Sequence, residues 1–199
     1  MLSETRNKFK ILEEFLGKIF SKFGLSANQF TLLSVVFTFS SFYCLIDLNF
    51  ILAFIFFIFA GILDLIDGAV ARIRGEVSKK GAYLDTICDR YVEGIVLLGF
   101  FFLPLTFFLL PPRIWIGLCF LGGLMTTYAK AAAKEKELVM ERPAPAFFGR
   151  TERIISIALA MFLGIFNISL VIYPIVILAI FSNISALQRA LLSFNSAKD

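Results

Sequence analysis

The sequence contains no histidine and only three cysteines among its 199 residues. Without histidine the chain lacks the most common general base and the most common zinc ligand, so proton transfer would fall to Asp, Glu, Lys, Tyr or Cys. Cys44, Cys88 and Cys119 lie singly in apolar stretches. An odd number of cysteines without paired spacing argues against a disulfide framework or a metal knuckle.

Charged residues are also scarce, at 17% of the chain, whereas 59% of the residues are hydrophobic and 25 are Phe. A soluble domain of this length is not so apolar, and runs of ~20 apolar residues are the unit of a membrane helix. We therefore predict an all-α integral membrane protein with six transmembrane helices and no separate soluble domain. The predicted domain organisation is an N-terminal amphipathic juxtamembrane helix at 1–24, a six-helix transmembrane catalytic domain at 25–190 and a short cytoplasmic tail at 191–199.

The N-terminal arm combines apolar residues at helical spacing with interspersed Lys and Arg over residues 4–23. This pattern predicts a helix lying in the membrane interface, with a soluble partner-binding helix as the alternative. It does not resemble a signal peptide. Gly24 is expected to end this helix as a C-cap, and Ser26 to cap the next one.

The distribution of Lys and Arg predicts the topology. The predicted spans cover about 25–46, 50–70, 81–103, 114–130, 153–166 and 169–187. Basic residues lie in the N-terminal arm, after spans two and four, and in the tail, whereas the other turns hold only Arg113. By the positive-inside rule, both termini are cytoplasmic. We expect a multi-pass cell (plasma) membrane protein. Gly117, Gly122 and Gly123 in span four would permit close helix approach, in a tight bundle or at a dimer face.

Four acidic residues accompany the second and third spans. Asp64 and Asp67 are three residues apart, and Asp85 and Asp89 are four apart, so each pair lies on one helix face. Carboxylates beside lipid are costly and usually functional. Acids that converge from two helices need protons or cations, and oxygen ligands suit Mg²⁺, Mn²⁺ or Ca²⁺. The predicted topology places these acids near the cytoplasmic membrane surface.

The stretch from Asp64 to Asp89 resembles the CDP-alcohol phosphotransferase family. It contains Asp64-Leu65-Ile66-Asp67-Gly68-Ala69-Val70-Ala71-Arg72 and, after eight residues, Gly81-Ala82-Tyr83-Leu84-Asp85-Thr86-Ile87-Cys88-Asp89. The family pattern is D-x-x-D-G-x-x-A-R, seven or eight residues, then G-x-x-x-D-x-x-x-D. Every fixed position of that pattern is filled, which makes the resemblance specific.

The resemblance implies an activity and a set of site residues. Family members move a phosphatidyl-type group from a CDP-linked lipid (CDP-diacylglycerol or CDP-archaeol) to an alcohol and release CMP, and some instead move a phosphobase from a CDP-alcohol to a lipid. Mg²⁺ or Mn²⁺ would be bound by Asp64, Asp67, Asp85 and Asp89. The CDP part would contact Asn28, Thr31, Asp64, Asp67, Gly68, Ala71, Arg72, Ser78, Gly81 and Asp85. The resemblance makes Asp89 the general base, in at most loose contact with metal, and the protein a homodimer with no nucleic-acid partner.

Basic residues after the fourth span and near the end of the sixth suggest the acceptor. The candidates are Lys130, Arg150, Arg153 and Arg189. Cations beyond a metal site favour a phosphorylated acceptor, and the arrangement resembles the inositol-phosphate branch of the family. Glycerol 3-phosphate and serine stay open as acceptors, and positive-inside topology alone would also place basic residues here.

A supporting role for two neighbouring residues and one alternative function also concern the acids. Arg90 and Glu93 follow Asp89 on the same helix, and we expect them to support the acids rather than bind metal. Intramembrane acids also mark cation transporters. A transporter, however, would favour acids at the membrane midplane and two related halves, and the sequence shows neither.

Overall fold

A computed structural model describes residues 14–138 and 147–195. These residues form helices joined by short turns, with one isolated bridge between Phe108 and Leu110. The long helices are α1 (Ala27–Ile46), α2 (Phe50–Arg74), α3 (Lys79–Phe101), α4 (Pro112–Glu135), α5 (Arg150–Phe166) and α6 (Ile172–Asn195). Short 3₁₀ turns occupy Ser21–Phe23 and Ile168–Leu170. The all-α prediction is confirmed for the described residues.

Four segments are long and apolar enough to cross a membrane: α1, α2, α4 and Ile168–Asn195, which contains α6. Each predicted span overlaps one of the long helices, with different ends. Residues 14–20 are helical, whereas residues 1–13 of the predicted amphipathic helix and residues 196–199 of the predicted tail lie outside the described residues.

The start of α1 has the predicted caps. Gly24 has a φ of 74° and follows the 3₁₀ turn, a conformation that glycine adopts without steric cost. Ser26 and Gln29 form a capping box, in which the Gln29 N–H donates to Ser26 Oγ at 3.4 Å and the Ser26 N–H donates to Gln29 Oε1 at 2.8 Å. Both capping predictions are confirmed.

The described chain falls into two compact units. The first consists of the described part of Met1–Ser41 together with Ile55–Val92, and the second of Phe42–Phe54 together with the described part of Glu93–Asp199.

In the first unit, Phe30 of α1 packs with Ile66 and Val70 of α2. Leu16, Phe20, Leu25 and Leu63 surround this core. Arg74 fastens the N-terminal segment by donating hydrogen bonds to the carbonyl oxygens of Leu25 (2.7 Å) and Ser21. The core therefore fixes the part of α2 that carries Asp64 and Asp67.

In the second unit, α4 packs closely against α6. A Cβ at Gly122 would meet the side chain of Ser182 and would lie 2.9 Å from the backbone nitrogen of Asn183. Asn183 in turn donates to the carbonyl oxygen of Leu118 at 2.8 Å. Gly122 thus has the predicted role in close helix approach, whereas a Cβ at Gly117 would meet nothing described within 4 Å.

Candidate active site

Three of the four motif carboxylates converge in the first unit. Asp64 and Asp67 lie one turn apart on α2, and Asp85 lies in the second turn of α3. One carboxylate oxygen from each residue lies within 4.8 Å of the others. Asp67 is buried, at 6% exposure, and the other two are half-buried. Three negative charges at this spacing repel one another unless a cation lies among them.

The position of Asp67 is fixed by α1. The Thr31 hydroxyl donates to Asp67 Oδ2 at 2.5 Å, and Thr31 itself is 3% exposed. A hydrogen bond to a buried carboxylate holds one oxygen in place and leaves the other for a ligand. The predicted contact of Thr31 with the CDP part stays a prediction, and in the structure the Thr31 hydroxyl contacts the Asp67 carboxylate.

Gly68 makes room for Arg72. A Cβ at Gly68 would lie 3.4 Å from Arg72 Nη1 and 3.6 Å from Nη2, so the guanidinium extends back along α2 by one turn. The guanidinium of Arg72 therefore lies beside Gly68, the residue that follows Asp67 on α2. A guanidinium held there is suited to forked contacts with phosphate oxygens.

Three other predicted nucleotide-binding residues meet at the start of α3. Ser78 precedes the helix, and its Oγ accepts a hydrogen bond from the Gly81 N–H at 3.0 Å, which is the N-cap arrangement. A Cβ at Gly81 would lie 3.2 Å from Ser78 Oγ and 3.3 Å from Asn28 Oδ1. The structure therefore brings Asn28, Ser78 and Gly81 together at a helix N-terminus, where the helix dipole favours an anion.

Two further motif residues each lie one helical turn after a carboxylate of the acidic group. Ala71 is half-buried one turn after Asp67, and Asp89 is half-buried one turn after Asp85. Within the described residues, the three carboxylates that approach within 4.8 Å do not include Asp89. The role of Asp89 as the general base therefore stays a prediction, as do the roles of the other motif residues.

The second unit contains a buried cluster of opposite character, which we call the guanidinium cluster: Glu93, Thr126, Arg153 and Arg189. Arg153 Nε donates to Glu93 Oε1 at 2.6 Å and Arg153 Nη2 donates to Glu93 Oε2 at 3.3 Å. Arg153 Nη1 donates to Thr126 Oγ1 at 3.2 Å, and Arg189 Nη1 donates to the Thr126 carbonyl oxygen at 2.9 Å. Glu93, Thr126 and Arg153 are each less than 5% exposed.

Two of the predicted acceptor residues, Arg153 and Arg189, thus meet at Thr126. Lys130 is exposed one turn further along α4, and Arg150 is the half-buried first residue of α5. The sequence analysis did not single out Thr126, and it expected Glu93 to support the motif acids rather than to pair with an arginine of another helix. The available signal for Glu93 was a carboxylate in an apolar helix that needs a cationic partner.

Comparisons with known proteins identify the family. The sequence profile of the CDP-alcohol phosphatidyltransferase family matches residues 25–188. The chain belongs to this family. The match includes both halves of the acidic motif and most of the guanidinium cluster, up to residue 188. The family prediction is therefore confirmed.

Curated members of the CDP-alcohol phosphatidyltransferase family include two similar proteins. The archaetidylinositol phosphate synthase of Pyrococcus horikoshii is 38% identical over 99 residues, which cover 50% of this chain and 53% of that protein. The phosphatidylinositol phosphate synthase of Corynebacterium glutamicum is 29% identical over 141 residues, covering 68% of this chain and 64% of that protein. The chain thus spans between half and two thirds of the length of these relatives.

Solved structures show the same fold. A crystal structure of the Mycobacterium tuberculosis phosphatidylinositol phosphate synthase with CDP-DAG bound matches with a TM-score of 0.80 at 23% identity, covering 94% of this chain and 97% of that one. A structure of the same enzyme in complex with manganese and citrate also matches with a TM-score of 0.80, at 22% identity, covering 94% of this chain and 92% of that one. These matches establish the architecture of the CDP-alcohol phosphatidyltransferase family for this chain.

Proposed function

We propose that this protein transfers a phosphatidyl-type group from a CDP-linked lipid, CDP-diacylglycerol or CDP-archaeol, to the hydroxyl group of inositol phosphate and releases CMP. The observation that carries the proposal is the convergence of Asp64, Asp67 and Asp85 within 4.8 Å in a chain whose family transfers such groups. No observation favours a cation transporter over this reaction.

The donor set fits a divalent cation. Three carboxylates supply hard oxygen ligands, which suit Mg²⁺ and Mn²⁺, and Thr31 holds Asp67 in one orientation. We assign Asp64, Asp67 and Asp85 as ligands, with Asp89 as a further, looser one. A bound Mg²⁺ or Mn²⁺ would neutralise the charge that develops on a diphosphate during phosphoryl transfer. A manganese complex of a protein with this fold agrees with the assignment.

The CDP part is assigned to the residues around this site. Arg72 would contact phosphate oxygens, since its guanidinium is held beside Gly68. Asn28, Ser78 and Gly81 would contact the nucleotide at the N-terminus of α3, where the helix dipole favours an anion. Ala71 would leave space on the same face of α2 as Asp67.

Asp89 is proposed as the general base. The acceptor oxygen would form a bond to the phosphorus that carries the lipid, the bond from that phosphorus to CMP would break, and the acceptor proton would pass to the Asp89 carboxylate. A carboxylate on the same face of α3 as Asp85 is the residue type available for this step in a chain without histidine.

A phosphorylated acceptor is supported by the charge of the guanidinium cluster. Two guanidinium groups meet at Thr126, and Glu93 supplies the one carboxylate of the cluster, so one positive charge is in excess. Buried or half-buried charge is costly without a counter-ion. We therefore assign Arg153, Arg189, Lys130 and Arg150 to the acceptor phosphate. One relative is named as an archaetidylinositol phosphate synthase and another as a phosphatidylinositol phosphate synthase, which supports inositol phosphate over glycerol 3-phosphate or serine.

The membrane arrangement is part of the proposal. We place six spans, α1 to α6, in the cell membrane, with both termini and the active site at the cytoplasmic face. Phe15, Ile19 and Phe23 recur at intervals of four residues and are 39% to 66% exposed, as expected for a segment lying against lipid. A homodimer is also proposed, and the mass of the protein in lipid nanodiscs would test it.

One assay tests the reaction. Purified protein would be given CDP-diacylglycerol or CDP-archaeol with inositol 1-phosphate, free inositol, glycerol 3-phosphate or serine, and CMP would be measured. We expect CMP with inositol 1-phosphate in Mg²⁺ or Mn²⁺, and none after chelation with EDTA. Absence of CMP with every acceptor would overturn the proposed function, whereas equal turnover of free and phosphorylated inositol would overturn only the acceptor assignment.

A further inference from the structure

The guanidinium cluster holds Arg153 from two sides. Nε and Nη2 form a side-on fork with the two oxygens of Glu93, and Nη1 donates to the Thr126 hydroxyl. A guanidinium has five N–H groups, and in the described part of the chain these contacts engage three of them. The plane of the group is fixed, and two N–H groups are left for a further acceptor.

Thr126 connects this arginine to the second one. Its hydroxyl accepts from Arg153 and lies 2.9 Å from the Gly122 carbonyl oxygen and 2.8 Å from that of Gly123, to which it donates. Its own carbonyl oxygen accepts from Arg189 Nη1 at 2.9 Å. One residue of α4 therefore sets the distance between guanidinium groups from α5 and α6.

The Glu93 carboxylate packs closely against α4. A Cβ at Gly123 would lie 2.7 Å from Glu93 Oε1, so the carboxylate lies directly against the backbone of α4. Glu93 is 4% exposed and Arg153 is 3% exposed. A buried charged pair that served stability alone could be replaced by apolar side chains at little cost, whereas a pair that orients a ligand-binding group could not.

We infer that Glu93 and Thr126 are positioning residues that orient Arg153, together with Arg189, for the phosphate group of the acceptor. Neither residue contacts the acceptor in this assignment, because the oxygens of Glu93 and the hydroxyl of Thr126 are engaged with Arg153 and α4. The inference rests on the proposed function, and it adds residues that determine the preference for a phosphorylated acceptor.

The test compares Thr126→Val with Thr126→Ser. Valine has nearly the shape of threonine but removes the hydroxyl that accepts from Arg153, whereas serine retains it. Thr38→Val is the matched control, because the buried Thr38 hydroxyl donates within its own helix α1, to the Ser34 carbonyl oxygen at 2.8 Å. Glu93→Gln is the second variant, which retains the shape of the side chain and removes its charge.

KM values for inositol 1-phosphate and for the CDP-lipid, kcat, and the melting temperature would be measured for each variant. We expect Thr126→Val and Glu93→Gln to raise the KM for inositol 1-phosphate roughly tenfold or more. The KM for the CDP-lipid is expected to stay within about twofold, as are both KM values of Thr126→Ser and Thr38→Val.

An unchanged KM for inositol 1-phosphate in Thr126→Val would overturn the inference, and so would an equal rise in both KM values. A lower melting temperature with unchanged kinetics would also assign the cluster a structural role only. If Glu93→Gln does not fold, the comparison of valine with serine at position 126 decides. Failure of the proposed function is distinguishable, because the wild-type protein would then release no CMP with inositol 1-phosphate.

Discussion

In the first compact unit, Asp64, Asp67 and Asp85 bring three carboxylates within 4.8 Å of one another. In the second unit, Arg153 and Arg189 both donate to Thr126, and Arg153 also pairs with the carboxylate of Glu93. The first group has an excess of negative charge and the second an excess of positive charge. Under the proposed function, the first group would bind a divalent cation and the second an anion. A metal-dependent transfer to a phosphorylated alcohol needs both.

The largest effect is expected from removing charge at the acidic group. Asp85→Asn retains the shape of the side chain but weakens the cation site, and we expect CMP release to fall by roughly 10²–10³-fold. The measurement is CMP release from CDP-lipid at saturating inositol 1-phosphate in Mn²⁺.

The matched control for that substitution is Asp47→Asn, at the turn between α1 and α2, outside the motif. It is expected to retain wild-type turnover. Wild-type turnover in Asp85→Asn would remove the acidic group from the reaction, and the contrast between the two units would then have no catalytic meaning.

The next largest effect is expected from the cationic group. Arg189→Met retains the aliphatic stem and removes the guanidinium, so we expect the KM for inositol 1-phosphate to rise by roughly 10–100-fold. The KM for the CDP-lipid should not change, because the donor is assigned to the other unit.

Arg113→Met serves as the control for a lost arginine, since Arg113 is exposed and its guanidinium lies 5.4 Å from the centre of the Phe101 ring. Both of its KM values are expected to match wild type. A rise in the CDP-lipid KM of Arg189→Met, without a rise for inositol 1-phosphate, would contradict the assignment of the cluster to the acceptor.

A smaller effect is expected from the hydrogen bond that orients Asp67. Thr31→Val removes the donor to Asp67 Oδ2, and we expect roughly tenfold weaker Mn²⁺ binding. Thr31→Ser retains the hydroxyl and is expected to bind Mn²⁺ like wild type. Titration of Mn²⁺ followed by electron paramagnetic resonance measures both, and equal affinity in the valine and serine variants would show that the hydroxyl has no role.

The last and smallest effect is expected on stability, from a steric change beside Glu93. A Cβ at Gly123 would lie 2.7 Å from Glu93 Oε1, whereas a Cβ at Gly117 would meet nothing described within 4 Å. Gly123→Ala should therefore lower the free energy of unfolding by about 1–3 kcal/mol, because Glu93 is held by Arg153 and cannot move freely. Melting temperatures measure the difference, and a Gly117→Ala variant as destabilised as Gly123→Ala would contradict it.

The three acids of the acidic group were predicted together from the sequence, whereas of the guanidinium cluster only Arg153 and Arg189 were, without Glu93 and Thr126. Asp64, Asp67 and Asp85 belong to a motif with fixed spacing on two consecutive helices, so helical periodicity was enough to place them on facing sides. Glu93, Thr126 and Arg153 come from three helices and are separated by 27 or more residues. Only tertiary packing brings them together, and no local pattern records it.

The end of α2 also differs from the end that the apolar run predicted. The second span was predicted to end near residue 70, where the apolar run ends, but α2 continues to Arg74. It ends where Gly75 adopts a φ of 67° and the Glu76 N–H donates to the Ala71 carbonyl oxygen at 2.9 Å, as in a Schellman cap. Hydropathy predicted where the long apolar helices lie, whereas the glycine cap determines where α2 ends.

The central claim is that Asp64, Asp67 and Asp85 share one divalent cation that engages a CDP diphosphate. The most direct test is a crystal structure of the protein with Mn²⁺ and CDP, with an anomalous difference map calculated at the manganese absorption edge. We predict a single strong peak among these three carboxylates, in contact with diphosphate oxygens. A map without a peak there, or with manganese and CDP bound at separate places, would contradict the account.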